Sequence, residues 1–499
     1  MTDQQKRNSK IAIIGSGLGG ISTAISLAAE GYEVAIYEKN ERVGGKLNIR
    51  SLNGFSFDLG PSILILPHYF ENLFRRAGKK MDDYLSLEPV CPQWRSFFED
   101  GTIIDLYDDL PSMEKELARF NEADVRGFFD YLGYSRMLFE YAKETYFDKA
   151  YDTWKEMIQG YGLMELRQRT DFPRSMSQGI DRFIKEPHWR DMLQYFIKYV
   201  GSSAYHAPAV LNLLLYSQLG FGLFYVKGGM YNLGRGLERL MKELGVAIHL
   251  QSEVVEIQKS AQRVTQLVLK DGSRVATDIV VSNMEVIPAY QQLLHEDQQF
   301  MKKLAKFEPA CSGLVVHLGL NRTYDQLRHH NFFFAKDQKK HFYTVFQDKR
   351  LPDDPTIYLV CPTKSDATIA PPDHEIIKIL PHIPAIKDEP YQVADYEQFK
   401  ELVITKLERM GLENLRQHIV VEDVLIPDDI QSMYYSNRGA IYGVVSSRTK
   451  NLGFKAPKKS EKYHNLYFVG GSVNPGPGMP MVILSGQQVC DRIVKEYPH

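Results

Sequence analysis

Six residues near the N-terminus, Gly15-Ser16-Gly17-Leu18-Gly19-Gly20, put glycine at three critical positions. These are where a chain must turn sharply, approach a phosphate closely and let a helix pack against a strand. Such a loop offers backbone amides to a pyrophosphate, and a helix starting at Leu18 directs its positive end at the same group. Eighteen positions after Gly20 stands Glu38, a carboxylate that can accept from ribose hydroxyls, with Lys39 beside it. An acid at that point speaks against a 2′-phosphate, and so against NADP. The chemistry implied is recognition of an adenine dinucleotide.

The elements that must hold these residues are legible around them. Ile11-Ala12-Ile13-Ile14 is an unbroken apolar run of the kind buried in a parallel strand. A helix is expected over residues 18–30, closed by Gly31, and a second strand over 34–37 delivers Glu38. The same alternation returns over 223–283, with short strands near 254–257, 264–269 and 279–281 and a hairpin at Asp271-Gly272. It returns again over 465–497. Between these stretches, residues 110–200 read mainly as helix, with Met137, Leu138, Tyr141 and Ala142 at helical spacing. Residues 285–440 mix helices, strands and proline-rich connections. The expected fold is α/β: a Rossmann-type cofactor domain assembled from separated segments (1–85, 223–284 and 446–499). A helical substrate and membrane-contact insertion (86–222) and a mixed α+β insertion (285–445) interrupt it. No internal repeat is present.

Composition narrows the function. The 499 residues carry 60 Lys+Arg and 62 Asp+Glu, a formal charge of −2, which removes the broad basic footprint of a nucleic-acid binder. An apolar fraction of 44% supports several cores and excludes a mainly disordered chain. The four cysteines, Cys91, Cys311, Cys361 and Cys490, are not spaced as CxxC pairs and read as reduced thiols of a cytoplasmic protein. Residues 1–10 are polar and lack the apolar stretch of a secretory signal. Residues 207–226 carry no charge over a membrane-spanning length, but Asn212, Ser217, Gln218 and Gly220-Phe221-Gly222 favour a buried helix followed by a strand.

Arg42-Val43-Gly44-Gly45-Lys46 resembles the R-x-G-G-K/R motif of the flavin-containing amine oxidase and phytoene desaturase superfamily. Phe57-Asp58-Leu59-Gly60-Pro61-Ser62 resembles the element that borders the flavin in that superfamily. Residues 465–471, with Pro475-Gly476-Pro477-Gly478-Met479-Pro480, resemble its second flavin motif, a strand and glycine loop before a helix. The resemblance implies FAD as cofactor. It places Gly45, Lys46, Gly60, Pro61, Ser62, Gly471, Met481 and Val482 against FAD, together with Val254 on a strand beside the adenine. It adds these to Gly15, Gly17, Leu18, Gly20, Glu38 and Lys39.

Within the superfamily the chain is similar to bacterial carotenoid desaturases, and several runs resemble C30 carotenoid oxygenases acting on diaponeurosporene and diapolycopene. Among them are Gln93-Trp94-Arg95-Ser96-Phe97-Phe98, Tyr195-Phe196-Ile197-Lys198-Tyr199-Val200-Gly201 and Ser436-Asn437-Arg438-Gly439-Ala440-Ile441-Tyr442-Gly443. This implies oxidation of a terminal methyl group on a linear C30 polyene to an aldehyde. Hydride loss from that methyl leaves a cation spread along the conjugated chain; water captures it, and a second oxidation gives the aldehyde. A competing route takes the oxygen from O2. The electron acceptor, O2 or a quinone, stays open. The alternatives are a C30 desaturase acting on dehydrosqualene, an amine oxidase, and a non-catalytic prenyl-binding protein of the same fold.

An apolar tunnel is expected from residues 63–66, 207–215 and 332–334. No catalytic residue is assigned: Glu285 and His317 are the candidate bases, and helix or strand packing is the favoured reading of both. Adjacent His329 and His330 point to opposite faces of a strand and make no metal site. Arg438 and Tyr442 either touch flavin or substrate or brace an interface; Trp94 and Arg95 either shape the tunnel mouth or form a stacked pair. Arg448, Lys450, Lys455, Lys458, Lys459 and Lys462 form a basic cluster, read either as a solvated loop or as a dock on anionic lipid at the inner face of the cell membrane. In the second case each charge contributes about 1 kcal/mol.

Overall fold

The computed structural model describes residues 9–498. Its first sheet is built from five parallel strands that are far apart in sequence. They are β1 (Lys10–Ile14), β2 (Glu33–Tyr37), β3 (Ala247–His249), β4 (Ile279–Ser282) and β5 (Leu466–Phe468), in the spatial order β3-β2-β1-β4-β5. β1 is central: Ile11 faces Val34 on one side and Ile279 on the other. Ile11 and Ile13 pack into one core and Ala12 and Ile14 into another, so the apolar run is covered on both faces. The helix α1 (Leu18–Ala29) follows β1 and ends at Gly31, whose φ of +88° only glycine adopts freely.

The C-terminal helix α2 (Met479–Glu496) lies on α1. The two approach at glycine: a Cβ on Gly486 would lie 2.7 Å from the carbonyl oxygen of Gly19. Ser22 Oγ donates to the Ile483 carbonyl at 2.6 Å and fixes the crossing. This contact brings the two ends of the chain together, so the first glycine loop and the last sit side by side.

The second sheet is antiparallel apart from one parallel pair. Its main order is Ile419–Leu425, Val315–Leu320, Glu375–Ile383, Ile357–Val360, His330–Phe333, Trp94–Phe97 and Ile103–Leu106. The stretch 86–222, expected to be helical, thus supplies two strands, and Trp94–Phe97 pairs in parallel with His330–Phe333. The two insertions build one body. Alternation separates its faces: Ile377, Ile379, Leu359 and Phe333 pack with the helix Val393–Arg409, while Phe332, Tyr358, Lys378, Leu380 and His382 point the other way.

The uncharged window 207–226 divides into a short turn at Ala209–Asn212, a helix at Leu213–Leu219 and a strand at Leu223–Val226. Among the described residues no helix is long and apolar enough to cross a membrane. Asp271-Gly272 forms the expected hairpin between Arg263–Leu269 and Arg274–Ala276.

Candidate active site

A cavity of about 340 Å³ runs between the two sheets. At one end lies the turn after β1. Gly15 takes a φ of +86° and donates its amide to the Tyr37 carbonyl at 2.9 Å. Gly17 faces the cavity and forms a bridge with Gly44; a Cβ on Gly17 would lie 2.4 Å from Asn283 Nδ2. Gly20 is turned inward instead, where a Cβ would meet the Gly15 carbonyl at 2.2 Å. It lets α1 sit close to the strand and does not line the cavity.

Glu38 is 4% exposed and saturated. Its Oε2 accepts from Ser16 N at 2.8 Å and Ser16 Oγ at 2.7 Å; its Oε1 accepts from Asn40 N and Asn40 Nδ2, each at 2.9 Å. A carboxylate has about four lone-pair directions, so a ribose hydroxyl would share or replace one of the side-chain contacts. Lys39 also lines the cavity; its Nζ donates to the Ser432 carbonyl at 2.6 Å and sits 4.2 Å over the Tyr435 ring. Val254 lines the wall beside Glu253 and Tyr435.

The middle of the cavity is where glycine-rich segments meet. Gly45 would bring a Cβ to 3.0 Å from Gly17 Cα, and Gly60 would bring one to 1.7 Å from the Lys46 carbonyl oxygen. Lys46 Nζ donates to the carbonyls of Ala440 at 3.0 Å and Ile441 at 3.3 Å and lies 3.4 Å from Glu285. Pro61, Ser62, Gly471 and Val482 line the same space, with the N-terminus of α2 opposite. Met481 lines only the adjoining cavity described below.

These residues fit a long molecule with a pyrophosphate at its centre. A carboxylate stands at one end, exposed peptides and two lysines follow, and an apolar and aromatic wall closes the other end. The start of the 18-residue helix α2 faces that last part, where a helix dipole stabilises negative charge.

A family model described as flavin-containing amine oxidoreductase matches residues 18–494. The chain belongs to that family. It is an oxidoreductase, and its cofactor is FAD. A 4,4'-diapolycopene oxygenase of Methylomonas sp is 53% identical over 490 residues, spanning 98% of this chain and 99% of the relative. A 4,4'-diaponeurosporene oxygenase of Staphylococcus haemolyticus is 51% identical, spanning 97% of each chain. Among solved structures, putrescine oxidase bound to putrescine superimposes with a TM-score of 0.64 at 16% identity, spanning 98% of this chain and 99% of the other. Cyclohexylamine oxidase from Brevibacterium oxydans gives 0.62 at 12%, spanning 99% and 100%. These likenesses bear on the fold.

In this oxidoreductase several functional residues escape a reading by motif. Asn283 follows β4, and its Oδ1 accepts from the Gly20 amide at 3.0 Å, tying the phosphate helix to the sheet. Lys378 interrupts an apolar strand. Its Nζ donates to Ser62 Oγ at 3.0 Å and to the Gly60 carbonyl, and burial lowers its pKa to about 8. Lys198 and Tyr358 complete the far wall. A charged residue inside an apolar run, as in Glu375–Ile383, is the signal that marks Lys378.

The remaining residues divide between the cavity and the core. His317 does not line the cavity: its Nε2 is 3.3 Å from the Asp58 carbonyl, Asp423 lies 3.3 Å from its Nδ1, and burial lowers its pKa. Glu285 lines the cavity but is engaged with Lys46 and with the Asn437 amide, which donates at 3.1 Å. Tyr442 faces the cavity, whereas Arg438 pairs outside with Asp388 at 2.8 Å. Trp94 is buried against Phe196 and Phe332, and Arg95 makes a bidentate pair with Asp105, so both brace the sheet. Phe332, Phe333 and Phe334 are core residues outside both cavities. His329 Nδ1 meets Ser365 Oγ at 2.6 Å, while His330 Nδ1 meets Tyr358 OH at 2.9 Å.

The basic cluster at 448–462 is not an open positive surface. Lys455 and Lys458 are each 2% exposed. Lys458 pairs with Asp152 at 2.5 Å, Lys450 with Glu308 and Lys459 with Glu496, each at 2.6 Å, and Lys462 with Glu296. Lys455 Nζ donates to the Val444 carbonyl at 2.6 Å, and Arg448 donates to backbone carbonyls. Internal partners thus occupy the cations on which a lipid dock was expected to rest.

Proposed function

We propose that this enzyme oxidises the terminal methyl group of a linear C30 carotenoid to an aldehyde, with FAD held by Gly15, Gly17, Leu18, Glu38, Lys39, Gly45, Lys46, Gly60, Pro61, Ser62, Val254, Gly471 and Val482. Gly20 packs the phosphate helix. The observation that carries the reading is a second cavity of about 190 Å³ that shares Ile63, Tyr199, Pro477, Gly478 and Met479 with the first. Its wall is mostly apolar and comes from Ile65, Leu66, Leu213, Leu214 and Met481, among others. A rod-like hydrocarbon entering it would arrive end-on at the flavin side. The full-length identity to carotenoid oxygenases points to the same substrate class.

FAD, when bound, supplies the two-electron acceptor. The chain's own contribution is to align one end of the polyene with that acceptor and keep the rest dry, which converts an encounter into an intramolecular step. Lys378, held by Gly60 and Ser62, places a polar group at the junction of the two bodies. The segments 1–85, 223–284 and 446–499 form the FAD-binding unit in this reading, and 86–222 with 285–445 form the substrate unit.

The test is pigment analysis, by chromatography and mass, of cells that make diaponeurosporene or diapolycopene with and without this protein. Aldehyde products are expected. Unchanged pigment, with new double bonds appearing when dehydrosqualene is the only precursor, would replace the reading by a desaturase. Oxygen label entering from water rather than O2 is expected for cation capture, provided aldehyde exchange with water is controlled.

The substrate dissolves in bilayers, and the mouth of the second cavity supports docking there, on the inner face of the cell membrane. Phe172 and Leu452 lie on its rim at 38% and 43% exposure; Leu163 and Met164 on the adjacent short helix reach 64% and 87%. Arg167 stands on the same helix and suits an anionic surface, whereas Arg169 is paired with Glu165 at 3.5 Å.

A further inference from the structure

Lys198 sits on the short turn Tyr195–Val200, which Gly201 closes in a left-handed conformation. Its Nζ lies among four aromatic rings: Tyr358 at 4.1 Å, Tyr199 at 4.5 Å, Phe332 at 4.8 Å and Trp94 at 5.0 Å from their centroids. The residue is 4% exposed and lines the first cavity, and its amine has no hydrogen-bond or carboxylate partner among the described residues. Tyr199, its neighbour, is also on the wall shared with the apolar cavity. The amine therefore stands where the end of a substrate in that cavity would meet the flavin side.

Resting on the proposed methyl oxidation, we propose that Lys198 Nζ is the base that removes the hydroxyl proton when the substrate's terminal alcohol becomes the aldehyde. In that step the carbon gives up a hydride, and with it two electrons, to FAD. The O–H proton passes to the amine, the C=O bond forms, and the resulting ammonium later releases its proton to water. The carboxylates around the cavity and its other buried amine are engaged: Glu253 accepts from Lys270 at 2.8 Å and from Tyr435. Glu38 is saturated, Glu285 is paired with Lys46, and Lys378 donates to Gly60 and Ser62.

Burial without a carboxylate disfavours a resting ammonium, while the four ring faces stabilise the ammonium once the proton has arrived. Burial pushes Lys198 well below the usual lysine range. The titratable groups facing it from the packed elements are Tyr199, Tyr358, Tyr195 and Tyr442, all shifted up by burial, and His330 and His382, both shifted down. None of these is an anion at neutral pH. Lys378 is the other amine nearby. Hydride loss places positive charge on the polyene, which an ammonium in the cage would oppose and a neutral amine tolerates. A ring cage without an acid also leaves the lone pair free for the proton.

The test uses purified flavoprotein variants K198M, K198R and K198A, each first checked for flavin content and an unchanged flavin absorbance spectrum. With the polyene hydrocarbon as substrate, K198M and K198R are expected to accumulate the alcohol, with aldehyde formation slowed 100-fold or more. The acidic limb of the wild-type pH profile should vanish, and methylamine should restore aldehyde formation in K198A. As a readout independent of turnover, the polyene aldehyde added with cyanoborohydride should leave a reduced adduct on the peptide containing Lys198. Wild-type aldehyde yield and an intact acidic limb in K198M would overturn the assignment alone. Absence of any aldehyde from the wild-type protein would overturn the functional reading beneath it.

Discussion

The Ser16 amide and the Glu38 carboxylate close on each other at 2.8 Å, across the junction of two strands. Ser16 lies in the first glycine loop and Glu38 immediately after β2, so one contact fixes that loop against the end of the second strand. Ser16 Oγ reinforces it at 2.7 Å. The carboxylate thus organises the loop, and in the proposed reading it would exchange one of these contacts for a hydroxyl of the cofactor.

Replacing it therefore affects both tasks. Glu38→Gln keeps the shape but turns one acceptor into a donor facing Ser16 or Asn40. A hydrogen bond to a charged group contributes about 1.5–3 kcal/mol, so FAD binding is expected to weaken roughly 10- to 100-fold. Titration of the apoprotein with FAD, followed by flavin fluorescence, measures this. An unchanged dissociation constant would remove Glu38 from the cofactor site.

Two glycines give opposite expectations. A Cβ at Gly60 would stand 1.7 Å from the Lys46 carbonyl, so Gly60→Ala must shift backbone in the middle of the site. A loss of more than about 2 kcal/mol and poor flavin retention are expected. Gly133 lies exposed in the helix Glu122–Ala142 with no atom near the added methyl. Gly133→Ala is expected to stabilise by up to about 1 kcal/mol. Denaturant midpoints of the two variants should move in opposite directions; movement in the same direction would refute the packing around Gly60.

The phosphate end of the site was open to sequence reasoning because it is local. Gly15 to Gly20, the helix, the second strand and Glu38 are contiguous, and each has a backbone reason for its residue type. The far wall was hidden because long-range pairing builds it. Lys198, Tyr358 and Lys378 come from a turn and two strands that meet only when the second sheet forms. Trp94 stayed open between a tunnel role and a structural one for the same reason: its strand pairs with one more than 230 positions away, and nothing near it in sequence says so. The basic run at 448–462 misled in the other direction. Its partners Asp152, Glu296, Glu308 and Glu496 are distant in sequence, so charges that look open along the chain are closed in the fold.

Lys378 makes a pH prediction with a definite sign. Burial lowers its pKa from 10.5 to about 8, so the folded state releases this proton more readily than the unfolded chain. Between those two values the unfolded state binds more protons, and stability from this group rises with pH; below both, the fold bears the cost of a buried ammonium. At 1.36 kcal/mol per unit, that cost is about 3 kcal/mol. Lys378→Met should remove it, so the variant's unfolding free energy relative to wild type should fall as pH rises from 8 to 10.5. Parallel stability curves over that window would show that Lys378 does not carry the shift.

Membrane docking can be separated into its apolar and basic parts. If the rim of the second cavity enters the bilayer, the side chains that matter are Leu163 and Met164, which are exposed and have no partner in the core. Burying such a side chain contributes about 1.5–3 kcal/mol, so Met164→Glu should cut recovery with anionic vesicles about tenfold or more. Lys459 and Lys462 are held by Glu496 and Glu296, so Lys459→Ala and Lys462→Ala should leave recovery unchanged. Lys459→Ala should alter stability by no more than about 1 kcal/mol, as expected for a partly exposed pair. Sedimentation with vesicles of defined anionic content separates the two parts. Loss of binding in the lysine variants, with Met164→Glu behaving as wild type, would move the docking surface from the cavity mouth to the 448–462 loop. The substrate would then need another route into the apolar cavity.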